Sequence, residues 1–271
     1  MRAPQAQSKL SEVLEFLQQY EGTINPNKLI FGRWIKDAQA LRLVDPSEGY
    51  MMEAWVYRAQ GKLDKALEYM KNAYRLDSSS SSVNVNYASL LLSSGDFNES
   101  EKLCIKRIRL DRTNTDIFKI LITNTLHTFN QDALFEAIEL FIPTNPEAEK
   151  VIGQAKKRIF DFDHMQSTLE SANLSIEVYK RFSSITQKVR NTRYIGESRT
   201  VINCEVNELG TFLLIDEALV NASIEDCLSM YDDLVEEIIN DDHYFEEYKK
   251  IIFNFIPTTS TAINSAYQLE I

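Results

Sequence analysis

A chain of 271 residues and 31.2 kDa is long enough for one large domain or two ordinary ones. Its 44% hydrophobic and 25% charged residues are typical of a soluble globular protein and exclude a disordered chain. The formal net charge of −11 argues against general nucleic-acid binding, because phosphates require clustered cations.

Two stretches in the first half of the chain are related by an offset of 34 residues. The offset aligns Ala54 with Ala88, Gly61 with Gly95, Leu63 with Phe97, Leu76 with Leu110, and Asp77 with Asp111. Apolar residues recur three and four positions apart on both sides of each glycine, which predicts two amphipathic helices per copy. A glycine between them tolerates the positive φ that reverses the chain direction. The pattern therefore predicts consecutive helical hairpins.

This pattern resembles the tetratricopeptide repeat, a helix-turn-helix unit of about 34 residues. The best copy starts at Ser47 and carries the small, aromatic and glycine residues of the family pattern: Ala54, Tyr57, Gly61, Ala66, Met70 and Ala73. Later copies are weaker, with Ser100 and Arg107 at alanine positions and Phe129 at a glycine position. Residues 37–46 resemble the end of an earlier repeat, so the resemblance covers roughly residues 8–148.

The resemblance implies a mainly α fold, an α-solenoid of stacked hairpins. We expect it to occupy residues 1–148 and to be followed by a smaller α+β module over residues 149–271. Eight glycines and six prolines are few for this length, which also favours long helices over a turn-rich all-β fold.

A binding groove is also implied, because the first helix of each such repeat lines the concave face of the stack. The family's groove positions, with one neighbouring position, fall on eight residues: Met51, Trp55, Arg58, Val85, Asn86, Ser89, Leu92 and Lys119. This strip is largely apolar, which favours an amphipathic helix or an extended peptide with apolar anchors. Only Asn86 matches the family's clamp for a terminal carboxylate, so that mode is not supported. Alternatively, Trp55 could simply pack against a neighbouring helix or the C-terminal half.

The second half begins with a basic stretch, since residues 151–199 hold 9 Lys and Arg against 5 Asp and Glu. The simplest interpretation is a solvated helix face; the alternative is a basic patch that meets the acidic C-terminal segment or a partner. Residues 199–206 and 211–216 are rich in β-branched and aromatic side chains and are separated by NELG, which predicts a β-hairpin. A third strand could lie near residues 194–195.

The last quarter is acidic, with 2 Lys and Arg against 15 Asp and Glu in residues 200–271. Ser223 is predicted to cap a helix whose apolar stripe faces the core: Ile224, Leu228, Tyr231, Leu234, Val235 and Ile238. An acidic surface is predicted to face solvent: Asp232, Asp233, Glu236, Glu237, Asp241 and Asp242. A second helix is predicted over residues 243–255, followed by a polar tail.

Neither catalytic chemistry nor a cofactor is predicted from any motif. The chain has no P-loop, GxGxxG, GxSxG or HExxH. The acidic run lacks the ExxH motifs of bundle metal sites, and three histidines show no zinc spacing. Asp161, Asp163 and His164 could form a proton relay or a metal ligand set, which leaves open an enzyme whose residues lie around His164 and the hairpin. We expect no metal and no cofactor.

The location is predicted from the N-terminus and the cysteines. The N-terminal segment has no apolar signal-peptide core, and nowhere are there about 18 consecutive apolar residues. Cys104, Cys204 and Cys227 form no CxxC pair, and free thiols suit a reducing compartment. These features predict a cytoplasmic protein that binds neither membrane nor nucleic acid.

The predicted function is that of an adaptor or scaffold that binds a protein partner through the concave face, with a homo-oligomer left open. The runner-up is a chaperone or neutralising partner of an effector or toxin, whose basic surface the acidic module would cover. An enzyme with an unrecognised site in the C-terminal module is the competing hypothesis from another class.

Overall fold

The computed structural model describes residues 4–19, 22–25 and 28–259. Helices of the first part are α1 (Pro4–Gln19), α2 (Leu29–Arg42), α3 (Pro46–Ala59), α4 (Leu63–Leu76), α5 (Ser81–Ser93), α6 (Phe97–Leu110), α7 (Thr115–Thr128) and α8 (Gln131–Leu140). They are followed by α9 (Pro146–Ser171), α10 (Ile176–Arg193), α11 (Ile224–Ile239) and α12 (Phe245–Tyr248). The strands are β1 (Gly22–Thr23), β2 (Tyr194–Ile195), β3 (Ser198–Asn207), β4 (Gly210–Val220) and β5 (Ile251–Thr258).

Three consecutive hairpins, α3 with α4, α5 with α6, and α7 with α8, dominate the N-terminal half. Their second helices begin at Leu63, Phe97 and Gln131, which are 34 residues apart each time. The predicted α-solenoid followed by a smaller sheet-containing α+β module is therefore confirmed.

The first helix of each hairpin begins at a side-chain cap. In α3, α5, α7 and α9 the capping side chain accepts a hydrogen bond from the backbone N–H three residues later; the capping residues are Asp45, Ser80, Asn114 and Asn145. Each cap satisfies one of the N–H groups that the first turn of a helix leaves without a partner. Each repeat is therefore marked in the sequence by a capping residue before its first helix as well as by the residue at its turn.

The turn within each hairpin is made by a residue with left-handed backbone. Gly61 has φ 74°, Gly95 has φ 82°, and Phe129 takes the glycine position of the third hairpin with φ 52°. A non-glycine residue in this region costs about 1–2 kcal/mol. The ring of Phe129 packs against Phe162 and Tyr179, and these contacts offset that cost.

Helix α10 lies across the row of these turns and ties the two halves of the chain together. The Tyr179 ring lies 5.3 Å from that of Phe129, and Ser184 Oγ donates a hydrogen bond to the Gly95 carbonyl at 3.0 Å. The carbonyl of Thr192 lies directly over Gly61. Helix α10 thus meets the third, second and first hairpins in that order as the chain proceeds.

Helix α9 belongs to two hydrophobic clusters. Its Val151, Ala155 and Phe162 share a cluster with α5–α8, whereas Leu169 near its end belongs to the cluster of the C-terminal sheet. The predicted boundary at residues 148/149 falls in the first turn of α9 and stays a prediction.

The C-terminal sheet has the order β3-β4-β5. Strands β3 and β4 form the predicted antiparallel hairpin, and β5 pairs parallel to β4 from Leu213 with Ile251 to Val220 with Thr258. The helix predicted over residues 243–255 is therefore wrong, because only Phe245–Tyr248 is helical there and strand β5 begins at Ile251. The strand predicted near residues 194–195 exists as β2, but it pairs with β1 in a separate two-stranded sheet.

Helix α11 connects β4 to β5 and differs from the prediction in the face it buries. Its core residues are Cys227, Met230 and Leu234, which pack with α10 and the sheet. Four residues of the predicted core stripe, Ile224, Leu228, Tyr231 and Val235, are exposed, so the prediction is wrong for them. The apolar arc of this helix is wider than one face, and the part of the chain that the structure describes covers only one side of it.

The polar tail predicted at the C-terminus lies outside the described residues from residue 260 onward. Within the described ranges, no helix has both the length and the apolar character needed to cross a membrane.

Candidate partner-binding groove

A cavity of about 520 Å³ opens on the side of the solenoid formed by the first helices of the three hairpins. Helices α3, α5 and α7 supply most of its wall, α1 contributes a second wall, and the end of α10 with β2 closes one edge. Its lining includes six of the eight predicted groove residues: Trp55, Arg58, Val85, Asn86, Ser89 and Lys119. The structure thus brings these six positions together around one space.

Trp55 is half-buried and lines this cavity. Its Nε1 donates a hydrogen bond to Oδ1 of Asn86 at 3.1 Å, and the Asn86 amide in turn donates to the Ser82 carbonyl at 2.8 Å. The indole is therefore held between two successive hairpins and keeps part of its apolar surface toward the cavity. The alternative left open by the sequence also holds in part, because Trp55 packs at the edge of the N-terminal hydrophobic cluster.

Two predicted groove residues are placed elsewhere. Met51 is only 3% exposed and belongs to the N-terminal hydrophobic cluster, where its sulfur faces Ser82 and Asn86. Leu92 is half-buried and does not line the cavity. The family's groove position at Met51 is buried here, because helix α3 is covered on most sides.

Arg58 reaches the cavity wall, but its guanidinium is committed to helix α10. The residue is 6% exposed; its Nη1 donates to the Asn191 carbonyl at 2.7 Å, and its Nη2 donates to Asn191 Oδ1 at 2.8 Å and to the Tyr194 carbonyl at 3.3 Å. Carbonyls at a helix C-terminus lack intrahelical partners, and the helix dipole favours a cation there. Burial and the charge of Arg190 lower the pKa of Arg58 to about 9. The residue was predicted as a groove cation; the structure makes it a cap for α10.

The outer rim of the cavity is charged and exposed. Lys119 forms an ion pair with Glu147 of α9, and Asp116 lies one turn before it on α7. These side chains face solvent, where ion pairs contribute little to stability and can exchange partners.

Several lining residues come from elements outside the three hairpins: Leu14, Leu17, Asn191, Ile195 and Gly196. The leucines belong to α1, and the others belong to the end of α10 and the segment that follows it. Gly22 and Thr23 pair with β2, which fixes this segment beside α1. This part of the cavity wall could not be predicted from a local motif, because it depends on the pairing of β1 with β2, which lie far apart in the chain.

The predicted acidic surface is divided between paired and open carboxylates. Asp241 is 6% exposed and accepts hydrogen bonds from Arg181 Nε and the Tyr248 hydroxyl, each at 2.8 Å. Burial raises the pKa of Asp241, but these bonds outweigh it and leave that pKa below its usual value. Asp233 binds Arg193 with both carboxylate oxygens, at 2.6 and 3.0 Å. The assignment of Asp241 to the solvent surface is therefore wrong.

The other four predicted acids, Asp232, Glu236, Glu237 and Asp242, are exposed and form no ion pair with any residue that the structure describes. The basic stretch shows the complementary pattern. Arg181, Arg190 and Arg193 of α10 pair with Asp241, Glu217 and Asp233, respectively. For these three arginines the contact with the acidic segment, rather than a solvated face, is the correct interpretation.

The residues considered for catalysis do not form an enclosed site. His164 and Asp163 are exposed on α9, and Asp161 pairs with Arg158 on the same helix at 3.0 Å. His164 does not line the cavity described above. Over residues 4–19, 22–25 and 28–259, no group of three or more His, Cys, Asp or Glu side chains is arranged to hold a metal ion.

Comparison with known proteins supports the repeat. No curated protein matches the sequence. The family model described as tetratricopeptide repeat matches residues 57–120, from the end of α3 to the first turns of α7. The match includes the second hairpin, which has Ser100 and Arg107 at the family's alanine positions. The N-terminal half of the chain therefore contains repeats of the tetratricopeptide type.

Proposed function

We propose that this protein is an adaptor or scaffold that holds a segment of a partner protein in the groove lined by Trp55, Val85 and Ser89. Repeats of this type serve protein–protein interaction in general. The observation that carries the proposal is the convergence of residues from three successive hairpins on one open cavity.

The lining of the groove indicates the kind of segment it would hold. Its apolar residues are Leu14, Leu17, Trp55, Val85, Ile120 and Ile195, and its polar ones include Asn86, Ser89 and Ser93. A volume of about 520 Å³ suits a few side chains rather than a folded domain. An extended or helical peptide with apolar anchors matches this mixture, since aromatic pockets supply most of the energy at such interfaces.

The partner can be captured by placing a photo-crosslinking residue in the groove. Ser89 is half-buried at the cavity, whereas Thr113 is exposed in the connection between α6 and α7. Full-length protein carrying Ser89→benzoylphenylalanine should crosslink the partner, and the matched Thr113→benzoylphenylalanine protein should not. Equal crosslinking at both positions would argue against the groove.

Replacing Trp55 by alanine should weaken binding of the captured partner about tenfold or more, because the substitution removes the largest side chain among those that line the groove. Titration calorimetry with the purified partner measures the change, and circular dichroism checks that the variant is folded. Leu110→Ala is the matched control, since Leu110 is exposed on α6 away from the groove. Unchanged affinity in a folded Trp55→Ala protein would exclude this site.

A second candidate function, a chaperone or neutralising partner of a basic effector or toxin, is favoured by the four exposed acids that form no ion pair with any described residue. Neutralising Asp232, Glu236 and Glu237 as Asn and Gln should remove salt-sensitive binding of such a partner, because screening weakens exposed charge contacts. Asp233 is left unchanged in this variant, since it binds Arg193. Binding that is insensitive to both salt and these substitutions would exclude this candidate.

A further inference from the structure

Helix α11 presents a second apolar surface to solvent. Large apolar side chains that are 36% to 64% exposed recur three or four residues apart: Ile224, Leu228, Tyr231, Val235 and Ile239. This spacing places them in one stripe along a helix of 16 residues, about 24 Å long. The core of the module uses a different set, centred on Met230 and Leu234. We call the five exposed residues the α11 stripe.

One border of the α11 stripe is acidic. Glu225, Asp232 and Glu236 are separated by seven and four residues, which places them in a row beside the stripe on the side away from the core. All three are exposed and have no ion-pair partner in the described part of the chain. Helix α11 itself contains no lysine or arginine. A ligand of this surface must therefore bring both apolar side chains and positive charge.

The opposite side of α11 already binds a basic helix of the same chain. Asp233 lies there and holds Arg193 of α10 in a bidentate ion pair, beside the buried contact of the two helices. The packing of α10 on α11 thus combines apolar contacts with an arginine on an acidic border. On its exposed side, α11 also has apolar side chains next to acidic residues, but no arginine of the described chain contacts these acids.

We propose that the α11 stripe and its acidic border form a docking site for an amphipathic helix of another protein, with lysine or arginine along one edge of its apolar face. A second copy of this chain fits poorly, because α11 has no lysine or arginine to meet the acidic border of another α11, and antiparallel helices related by a two-fold axis would place both acidic borders on the same side. The inference rests on the second candidate function, which requires only the acidic charge, and adds an apolar contact to it. It does not involve the groove.

The test uses full-length protein and a fluorescent synthetic helix of about three heptads, with leucine at positions a and d and lysine at e and g. Anisotropy should show binding of this probe and none of a matched peptide with glutamate in place of lysine. The double substitution Leu228→Ser and Val235→Ser should weaken binding about tenfold or more, because it removes two apolar contacts. The double substitution Asp232→Asn and Glu236→Gln should weaken it about threefold and reduce its salt dependence.

The control for the stripe is the double substitution Leu76→Ser and Leu110→Ser, which changes two exposed leucines of the repeats and should leave probe binding unchanged. If the acidic variant loses binding and the stripe variant does not, the second candidate function stands and the docking site is excluded. A dimer in sedimentation velocity that Leu228→Ser dissociates would assign the stripe to a second copy instead. Partition onto phosphatidylcholine vesicles in preference to the peptide would likewise overturn the proposal.

Discussion

Replacing Gly61 by alanine is expected to destabilise the protein by about 3 kcal/mol or more. Gly61 has φ 74°, a conformation that alanine adopts at a cost of about 1–2 kcal/mol. An added Cβ would also lie 2.2 Å from the carbonyl oxygen of Thr192, a backbone atom of α10. Relief of that contact requires α10 to move away from the first hairpin. The midpoint and slope of urea unfolding, followed by circular dichroism, measure the change.

The contribution of the contact can be separated from that of the backbone conformation. Asparagine tolerates left-handed backbone better than alanine. Gly61→Asn should therefore reduce the free-energy cost of the backbone conformation, while its Cβ still meets the carbonyl oxygen of Thr192. Gly153→Ala is the control within a helix, because nothing lies within 4 Å of its added Cβ, and it should be neutral or stabilising by up to about 1 kcal/mol. A Gly61→Ala protein as stable as Gly153→Ala would contradict the packing of α10 on the turns.

The close approach at Gly61 shows what the repeat pattern predicts and what it leaves out. The 34-residue offset predicts the turns at Gly61 and Gly95 because each repeat repacks the same local contacts. The helix that covers the turns has no repeat signal, since Thr192 and Ser184 meet these glycines with backbone and hydroxyl atoms. Phe129, which departs from the family pattern, packs against both the cluster of α5–α9 and the cluster of the C-terminal sheet.

The C-terminal errors arise from pairing between distant residues. The segment IIFNFIP is a short apolar run that fits either a helix or a buried strand. The segment is a strand because it pairs with β4, where Leu213 lies opposite Ile251. The local sequence gives no sign of this distant partner. The proline within the run, Pro257, is tolerated because β5 is an edge strand.

The candidate groove could likewise be predicted only where it depends on the repeat itself, and not where it depends on residues far away in the chain. Trp55, Val85 and Asn86 lie on first helices, so family positions were sufficient to place them at the cavity. The environment of Arg58 could not be predicted, because its partners, Asn191 and Tyr194, lie more than 130 residues later in the chain. A residue type that suits a groove cation is equally suited to cap a distant helix.

The second large effect is expected at Arg58, where Arg58→Met should destabilise the protein by about 3–5 kcal/mol. Methionine fills much of the space but leaves three buried acceptors, the Asn191 carbonyl, Asn191 Oδ1 and the Tyr194 carbonyl, without the donors of the guanidinium. It also removes the cation from the C-terminal end of α10, where the helix dipole stabilises it. Arg58→Lys should recover only part of the loss, since an ammonium group cannot span the three acceptors as the planar fork does. Urea unfolding measures both variants.

Arg109→Met is the matched control, because Arg109 also forms a multiple hydrogen-bonded contact, with Glu136, but at an exposed position. Its loss should change stability little, since solvent replaces both partners. Because Asn191 and Ile195 form one edge of the cavity, Arg58→Met should also lower affinity for a groove partner in conditions where the protein stays folded. Wild-type stability in Arg58→Met would mean that α10 needs no cap from the first hairpin, and the groove wall would then be held by the packing of α10 and the β1–β2 pairing alone.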